Sequence, residues 1–226
     1  MTAITFLFDV DNTLLDHDRV TADLRRNLDQ SIGPDRAKIY WELFEKLRNE
    51  LGYADYLGAL QAFRTRFLDE PDLLAISQYL LNYPFANRLF PASLDAVAHA
   101  RQTGPTVILS DGDVVFQPQK IFRSGLFEVF QGNVLIYIHK EQELASVAAR
   151  YPSEHYVMLD DKLRILTAMK AVWGERLTTV FVRQGHYATD PSIAQYPPAD
   201  LTIDHIGDFQ NIPLSTIAAH SRTTNA

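Results

Sequence analysis

The sequence predicts an α/β protein in which a doubly wound, mostly parallel, Rossmann-like sheet is interrupted after its first strand by a bundle of helices. Three features of the 226 residues indicate this. A short apolar run stands near the start, helical spacing without a buried strand fills residues 21–89, and strands alternate with helices from residue 90 onward. Strands that alternate with helical segments are typical of βαβ units and a parallel sheet.

Composition limits the class of protein. Hydrophobic residues make up 46% and charged residues 22% of the chain, as in ordinary globular proteins, and the length suits one large domain or a core with a small second domain. A net charge of -7 without a basic run argues against nucleic acid or an anionic membrane as partner. The absence of cysteine excludes disulfides and thiolate catalysis. Without a signal peptide or an apolar stretch of about 18 residues, we expect a soluble, cytoplasmic protein.

The first predicted strand, residues 4–8, carries no charge and is typical of a strand buried on both faces. Asp9 and Asp11 follow it two positions apart, so on an extended segment their side chains point to the same side. The carboxyl edge of such a sheet is where ligands bind. Two close carboxylates repel each other unless a cation or a shared proton relieves them. This arrangement indicates a divalent metal, with Mg²⁺ preferred for its oxygen ligands.

The segment after the first strand has the spacing of helices. Apolar residues recur at helical intervals as Leu24, Leu28 and Ile32, then Ile39, Leu43, Leu47 and Leu51, then Leu60, Phe63 and Phe67, and finally Leu73, Ile76 and Leu80. Gly33-Pro34 separates the first two groups and Asn82-Tyr83-Pro84 ends the last. We therefore predict an inserted helical domain at residues 18–89 and a core made of residues 1–17 and 90–226.

The rest of the chain predicts further strands at residues 106–109, 134–138, 155–159 and 178–182, with a short edge strand at 201–203. Helices are predicted between them, one of which runs from residue 140 to residue 150. Three prolines and a glycine indicate a surface loop at residues 184–198, and the last half-dozen residues are expected to fray.

Polar residues follow four of the predicted strands. They are Asp9 and Asp11, Ser110, Lys140, and Asp160 with Asp161. In order and spacing, beginning with an apolar strand and the Asp-x-Asp-x-Thr of residues 9–13, these groups resemble the four motifs of the haloacid dehalogenase-like hydrolases. The helical insertion between the first two motifs is similar to that family's C1 cap, which closes over the site and selects the substrate.

The resemblance implies roles for the first motif. Asp9 would be the nucleophile that attacks phosphorus and forms an aspartyl-phosphate. Asp11 would protonate the leaving oxygen and later activate water. Members that cleave carbon-halogen bonds generally lack an aspartate at this position, so Asp11 favours phosphoryl transfer. Thr13 would either contact substrate or steady the loop through a hydrogen bond.

The second and third motifs would bind the phosphoryl group. Ser110 would donate to a phosphoryl oxygen, and with Asp111 and Gly112 it forms the predicted substrate-binding segment, where Gly112 permits a turn that presents N–H groups to an anion. Lys140 would screen the repulsion between Asp9 and the phosphate. Lys120, in the preceding predicted helix, is the alternative lysine.

The fourth motif would complete the metal site, in which Asp160 and Asp161 hold Mg²⁺ together with Asp9 and the backbone carbonyl of Asp11. The commoner family pattern is Gly-Asp with a further aspartate four or five residues later. Here position 160 is an aspartate, and Ile165 and Leu166 stand at the later positions. Which of Asp160 and Asp161 binds the metal directly therefore stays open.

The function that these residues predict is a Mg²⁺-dependent phosphatase acting on a small phosphorylated metabolite. The alternatives are a phosphomutase, a 2-haloacid dehalogenase of the same family, or a non-catalytic binding module on this fold. The sequence leaves the substrate and the oligomeric state open. Candidate substrate contacts from the cap are Arg19, Tyr53, Tyr56 and Arg64. The loop that begins at Arg183 is a further candidate for contact with the site or the substrate.

Overall fold

Six parallel strands form one sheet in the computed structural model, which describes residues 3–214 and 217. The strands are β1 (Ile4–Phe8), β2 (Thr106–Asp111), β3 (Val134–Tyr137), β4 (His155–Asp160), β5 (Leu177–Val182) and β6 (Leu201–Ile203). Their order across the sheet is β3-β2-β1-β4-β5-β6, so β2 and β3 lie on one side of β1 and β4, β5 and β6 lie on the other. The predicted doubly wound parallel sheet is confirmed. The expected fraying of the last half-dozen residues lies outside the described residues.

Both faces of the sheet are covered, which explains why its central strands are apolar throughout. On β1, Phe6 and Phe8 point into a large hydrophobic cluster, where both rings pack against Phe209. Leu7 points to the opposite face and belongs to a second cluster. This alternation places hydrophobic core on both sides of β1.

Helices flank the sheet and fill the long connection between β1 and β2. They are α1 (His17–Ile32), α2 (Pro34–Leu51), α3 (Tyr56–Arg66), α4 (Leu73–Asn82), α5 (Ser93–Arg101), α6 (Phe116–Arg123), α7 (Leu126–Val129), α8 (Leu144–Arg150) and α9 (Leu163–Trp173). We call α1–α4 the helical insertion. Each of its helices lies where the apolar spacing predicts one. None of the helices in the described part of the chain is long and apolar enough to cross a membrane.

Two neighbouring chain segments connect the helical insertion to the sheet. Leu15 and Leu89 form an antiparallel bridge, the Asp16 N–H donates to the Arg88 carbonyl at 2.7 Å, and the Phe90 N–H donates to the Leu14 carbonyl at 2.9 Å. The chain thus leaves and re-enters the sheet region at one place. The division into a cap at residues 18–89 and a core on either side stays a prediction.

The predicted helix from residue 140 is wrong at its start. Residues Lys140–Gln142 form a 3₁₀ turn, and α8 begins only at Leu144. The break lies at Glu143, whose φ of −103° and ψ of 19° are outside the α-helical region. Before it, the Lys140 N–H donates to the Asp111 carboxylate at 2.7 Å and Lys140 Nζ donates to Asp9 Oδ1 at 2.6 Å, which holds this turn against the sheet edge. An α-helix beginning at Lys140 would need a different backbone path.

Candidate active site

The polar residues at the carboxyl ends of β1, β2, β3 and β4 meet at one edge of the sheet. Strand register explains the meeting, because Phe8 pairs with both Ile108 and Leu159 and the Asp9 N–H donates to the Leu159 carbonyl at 3.0 Å. Asp9 therefore lies between the ends of β2 and β4. Parallel strands bring their carboxyl ends to a common edge, where the order of strands reverses.

Lys140 is the central cation of this edge. Its Nζ donates to Asp9 Oδ1 at 2.6 Å and to the Leu109 carbonyl at 3.2 Å, and it lies 2.6 Å from Asp160 Oδ2. The side chain is only 1% exposed. Burial would lower the pKa of Lys140, but the carboxylates of Asp160 and Asp9 outweigh it and raise the pKa above its usual value. Lys140 is therefore a permanent positive charge beside Asp9. Of the two lysines considered, it is the one that contacts Asp9.

Asp9, Asp160 and Asp161 form a buried acidic cluster with ligand atoms within 4.8 Å of one another. Both oxygens of Asp160 have partners, namely the Lys140 ammonium and the Lys162 N–H at 2.8 Å. Both oxygens of Asp161 are buried without a hydrogen-bond donor. Burial, together with the neighbouring negative charge, raises the pKa of Asp160 and of Asp161 above the usual range.

This cluster fits a divalent cation. A buried carboxylate without a donor is costly. Three carboxylates lie here near two ammonium groups, those of Lys140 and Lys162, so one negative charge stays uncompensated. Carboxylate oxygens are the ligands that Mg²⁺ prefers. Asp9 and Asp161, with Asp160, are the residues that would hold the ion. The side chain of Asp11 lies outside this cluster, and the predicted contact through its backbone carbonyl stays a prediction.

Asp11 is instead held at the mouth of the site by Lys120. Lys120 Nζ donates to both carboxylate oxygens at 2.7 Å and to Gln117 Oε1 at 2.8 Å, and His17 Nδ1 lies 3.4 Å from Asp11 Oδ1. Burial would raise the pKa of Asp11, but the charges of His17 and Lys120 outweigh it and hold the pKa well below its usual range. Burial lowers the pKa of His17 to about 4, so His17 is uncharged at neutral pH. The charge that then stabilises the Asp11 carboxylate is that of Lys120.

Two hydroxyl groups flank the Asp9 carboxylate. Thr13 Oγ1 donates to Asp9 Oδ2 at 3.4 Å, and Ser110 Oγ lies 3.5 Å from Asp9 Oδ1. Ser110 Oγ also accepts from Gln117 Nε2 at 2.9 Å. Both hydroxyls are buried, and at these distances each is a weak partner of Asp9. Thr13 and Ser110 thus lie on either side of the Asp9 carboxylate, and whether Thr13 contacts a substrate or steadies the loop stays open.

Two residues of the predicted substrate-binding segment, Asp111 at the end of β2 and Gly112 after it, line the cleft but are also bound within the protein. Asp111 directs its carboxylate to the Lys140 N–H and so positions the third motif. The Gly112 N–H donates to the Tyr137 carbonyl at 2.9 Å, so it is not free to face an anion. Glycine is required here for another reason, because a Cβ at this position would lie 2.7 Å from the Cβ of Gln117.

A cleft of about 700 Å³ lies between the helical insertion and this edge of the sheet. Of the four candidate cap contacts, Tyr53 and Tyr56 line the cleft, whereas Arg19 and Arg64 do not. The Tyr56 hydroxyl contacts His17 Nε2 at 2.8 Å and Thr21 Oγ1 at 3.1 Å, so it continues the polar network that begins at Asp11. The cleft has the size of a small-molecule site.

Asn12, His17 and Gln117 belong to the site although the sequence predicts no role for them, whereas Gln184 lies in the candidate loop that begins at Arg183. Asn12 adopts a positive φ of 57° and its Oδ1 accepts from the His17 and Asp18 N–H groups, which ties the Asp-x-Asp loop to the start of α1. Gln184, in the loop after β5, donates to the Thr13 carbonyl at 3.1 Å. His17 and Gln117 complete this group. An asparagine in the loop indicates the positive φ, whereas the contact of Gln184 with Thr13 spans 171 residues and has no local signal.

Comparison with known proteins places these features in a family. The family model for haloacid dehalogenase-like hydrolases matches residues 5–172. A Burkholderia xenovorans LB400 protein, whose structure is described as that of a haloacid dehalogenase-like hydrolase, is 58% identical, with a TM-score of 0.90 over 94% of this chain and 100% of that one. None of the curated proteins matches the chain significantly.

Two more distant structures share the fold alone. A Bacillus subtilis HAD-hydrolase, solved bound to magnesium, is 18% identical with a TM-score of 0.63, over 93% of this chain and 98% of that one. The L-2-haloacid dehalogenase of Xanthobacter autotrophicus, solved with chloropropionic acid covalently bound, is 16% identical with a TM-score of 0.59, over 92% and 96%.

Proposed function

The chain belongs to the haloacid dehalogenase-like hydrolases, and from this premise we propose that it is a Mg²⁺-dependent phosphatase that hydrolyses a small phosphomonoester through an aspartyl-phosphate. The observation that carries the proposal is the buried cluster of Asp9, Asp160 and Asp161, in which neither oxygen of Asp161 has a donor. A phosphomonoester adds further negative charge to this site. A divalent cation bound by Asp9 and Asp161 would supply the positive charge that neutralises the phosphoryl oxygens.

The residues divide two chemical steps between them. In the first, an Asp9 oxygen attacks phosphorus, the bond from phosphorus to the ester oxygen breaks, and the leaving oxygen takes a proton from Asp11. In the second, a water molecule gives a proton to Asp11 and attacks the phosphorus of the aspartyl-phosphate. This step releases phosphate and regenerates the Asp9 carboxylate. Lys140, 2.6 Å from Asp9, stabilises the negative charge that develops in both steps.

Asp11 supports phosphoryl transfer over dehalogenation. An alkoxide leaving group needs a proton, whereas a halide leaves as a stable anion, so a general acid beside the nucleophile serves only the first reaction. Lys120 holds Asp11 as a carboxylate, which is the form required in the second step. For the first step Asp11 must carry a proton, and the negative charge of an arriving ester favours its uptake. We further propose that the helical insertion is a C1 cap over this site.

The first test is a comparison of two reactions with one preparation of the protein. We expect phosphate release from 4-nitrophenyl phosphate with Mg²⁺, loss of that activity when EDTA removes the ion, recovery when Mg²⁺ is restored, and no halide release from 2-chloropropionate. Because Mg²⁺ binds the folded state, it should also raise the melting temperature. Halide release that persists in EDTA, without phosphate release, would replace the phosphatase with a dehalogenase.

A second prediction concerns Asp11→Asn and separates the role of Asp11 as proton donor in the first step from its role as proton acceptor in the second. With 4-nitrophenyl phosphate, whose leaving group needs no proton, the variant should keep a rapid burst of nitrophenolate and then turn over slowly. With hexyl phosphate, formation of the aspartyl-phosphate should fall by about 10²- to 10⁴-fold. Rapid-quench kinetics measures both phases, and the exposed Asp95, changed to asparagine, is the control. Equal losses with the two esters would contradict the acid role.

A further inference from the structure

Two arginines of the helical insertion, Arg25 on α1 and Arg48 on α2, line the cleft above the catalytic edge. The cleft volume of about 700 Å³ is far larger than a phosphoryl group, so most of it is available to the alcohol part of an ester. Side chains in this region therefore contact the part of the substrate that does not react.

The position of Arg25 follows from a stripe on α1. His17, Thr21 and Arg25 are spaced four residues apart, so they lie on one face of the helix, and all three line the cleft. His17 is at the reacting end, with its Nδ1 3.4 Å from Asp11 Oδ1. At 1.5 Å per residue, Arg25 lies roughly 12 Å further along the helix axis. It is thus placed for a distant group of the substrate.

Arg25 is oriented but lacks an anionic partner. Its guanidinium Cζ lies 4.0 Å from the centroid of the Trp41 ring, and within the described part of the chain no carboxylate forms a salt bridge with it. Other arginines of the helical insertion are paired, such as Arg26 with Asp23 and Arg36 with Glu70. A guanidinium stacked on an indole keeps its edge N–H groups available, and these groups match carboxylate and phosphate oxygens.

Two further cations, Arg48 and Lys162, line the cleft around Tyr187. Arg48 donates to the Tyr187 hydroxyl at 2.9 Å, and Lys162 Nζ lies 5.0 Å from the centre of the Tyr187 ring. Of the carboxylates that line this part of the cleft, Glu45 lies 3.6 Å from Arg48 and Asp18 lies 2.6 Å from His186 Nδ1. Asp190 also lines the cleft and accepts from the Ser192 N–H at 2.8 Å, so Arg25 faces a cleft whose carboxylates are bound to other groups of the protein.

We propose that Arg25, assisted by Arg48, binds a second oxyanion on the substrate, so that the enzyme acts on phosphomonoesters whose alcohol part ends in a carboxylate or another phosphate. This inference rests on the proposed phosphatase function. The aromatic side chains of Trp41, Phe44 and Tyr56 line the cleft between the reacting end and Arg25, which suits an apolar spacer between the two anions.

Turnover tests the subsite with four esters: hexyl phosphate, the same ester with a terminal carboxylate, its terminal carboxamide, and the bisphosphate of the corresponding diol. The wild-type protein should prefer the carboxylate or the bisphosphate over the carboxamide by about tenfold in kcat/KM, as expected for a charge-assisted bidentate contact. Arg25→Gln should bring this ratio close to one and leave hexyl phosphate within about twofold. Arg64→Gln, an exposed arginine outside the cleft, should keep the wild-type ratio. Of the carboxylate ester and the bisphosphate, the one whose kcat/KM falls further in Arg25→Gln carries the preferred oxyanion.

Binding separates failure of the subsite from failure of the proposed function. Calorimetric titration of the same esters into Asp9→Asn, with and without Arg25→Gln, requires no turnover. Discrimination in binding without hydrolysis by the wild-type protein would overturn the phosphatase and leave the subsite standing. Hydrolysis with equal kcat/KM for the carboxylate, the bisphosphate and the carboxamide would overturn the subsite alone. Absence of binding by every ester would overturn the subsite as well.

Discussion

Replacing Asp9 with asparagine is expected to lower steady-state phosphate release by on the order of 10⁴-fold or more, since loss of a covalent nucleophile is among the most damaging changes an active site can undergo. The amide keeps the size of the carboxylate, so the contacts with Thr13 and Ser110 at 3.4 and 3.5 Å have little reason to move. It cannot form an aspartyl-phosphate. The measurement is phosphate release from 4-nitrophenyl phosphate at saturating Mg²⁺.

The control for this variant is Asp29→Asn, which changes an exposed aspartate of α1 in the same way. Circular dichroism of both proteins reports whether the fold is kept. Acid quenching of the wild-type reaction should trap phosphate on the protein in a hydroxylamine-sensitive form, and Asp9→Asn should trap none. Phosphate release by Asp9→Asn at a rate close to that of the wild type would refute the covalent mechanism.

The catalytic edge could be predicted because its information is local. Each motif residue follows an apolar run, and parallel strands align their carboxyl ends whatever the loops do. Lys140 illustrates this, because its position after β3 made it the first candidate, with Lys120 as the alternative, and its Nζ lies 2.6 Å from Asp9 although its helix begins later than predicted. The choice between Asp160 and Asp161 could not be made in this way. It depends on which carboxylate the protein itself engages, and only the three-dimensional structure shows that Asp160 accepts from the Lys162 N–H and forms an ion pair with Lys140. The direct ligand of the ion stays a prediction.

The contacts of the helical insertion could not be predicted for a physical reason. Helical spacing identifies the apolar face of each helix but not the angle at which that face meets the sheet. Tyr56 and Arg64 were equivalent candidates from the sequence, yet one is buried against His17 and the other is exposed on α3. The pairing of Lys120 with Asp11 spans 109 residues and depends on how α6 is placed beneath the loop.

Replacing Lys140 with methionine is expected to lower both activity and stability by large amounts. The ammonium is 1% exposed and lies 2.6 Å from both Asp9 and Asp160, so its removal leaves buried carboxylates without a counter-charge. Breaking a buried pair by removal of one partner typically costs about 3–5 kcal/mol. Urea denaturation at neutral pH measures the free energy of unfolding. Lys38→Met, an exposed lysine of α2, should change it by less than about 0.5 kcal/mol.

The double variant Lys140→Met with Asp160→Asn separates charge from packing. If uncompensated charge is the cause, removing the carboxylate as well should recover a large part of the lost stability, because replacing both partners costs less than replacing one. Saturating Mg²⁺ should stabilise the single variant more than the wild type for the same reason. Activity should not return in the double variant, since Asp9 still lacks the cation that faces it. A double variant no more stable than Lys140→Met would mean that the methylene chain of Lys140, and not its charge, supports the sheet edge.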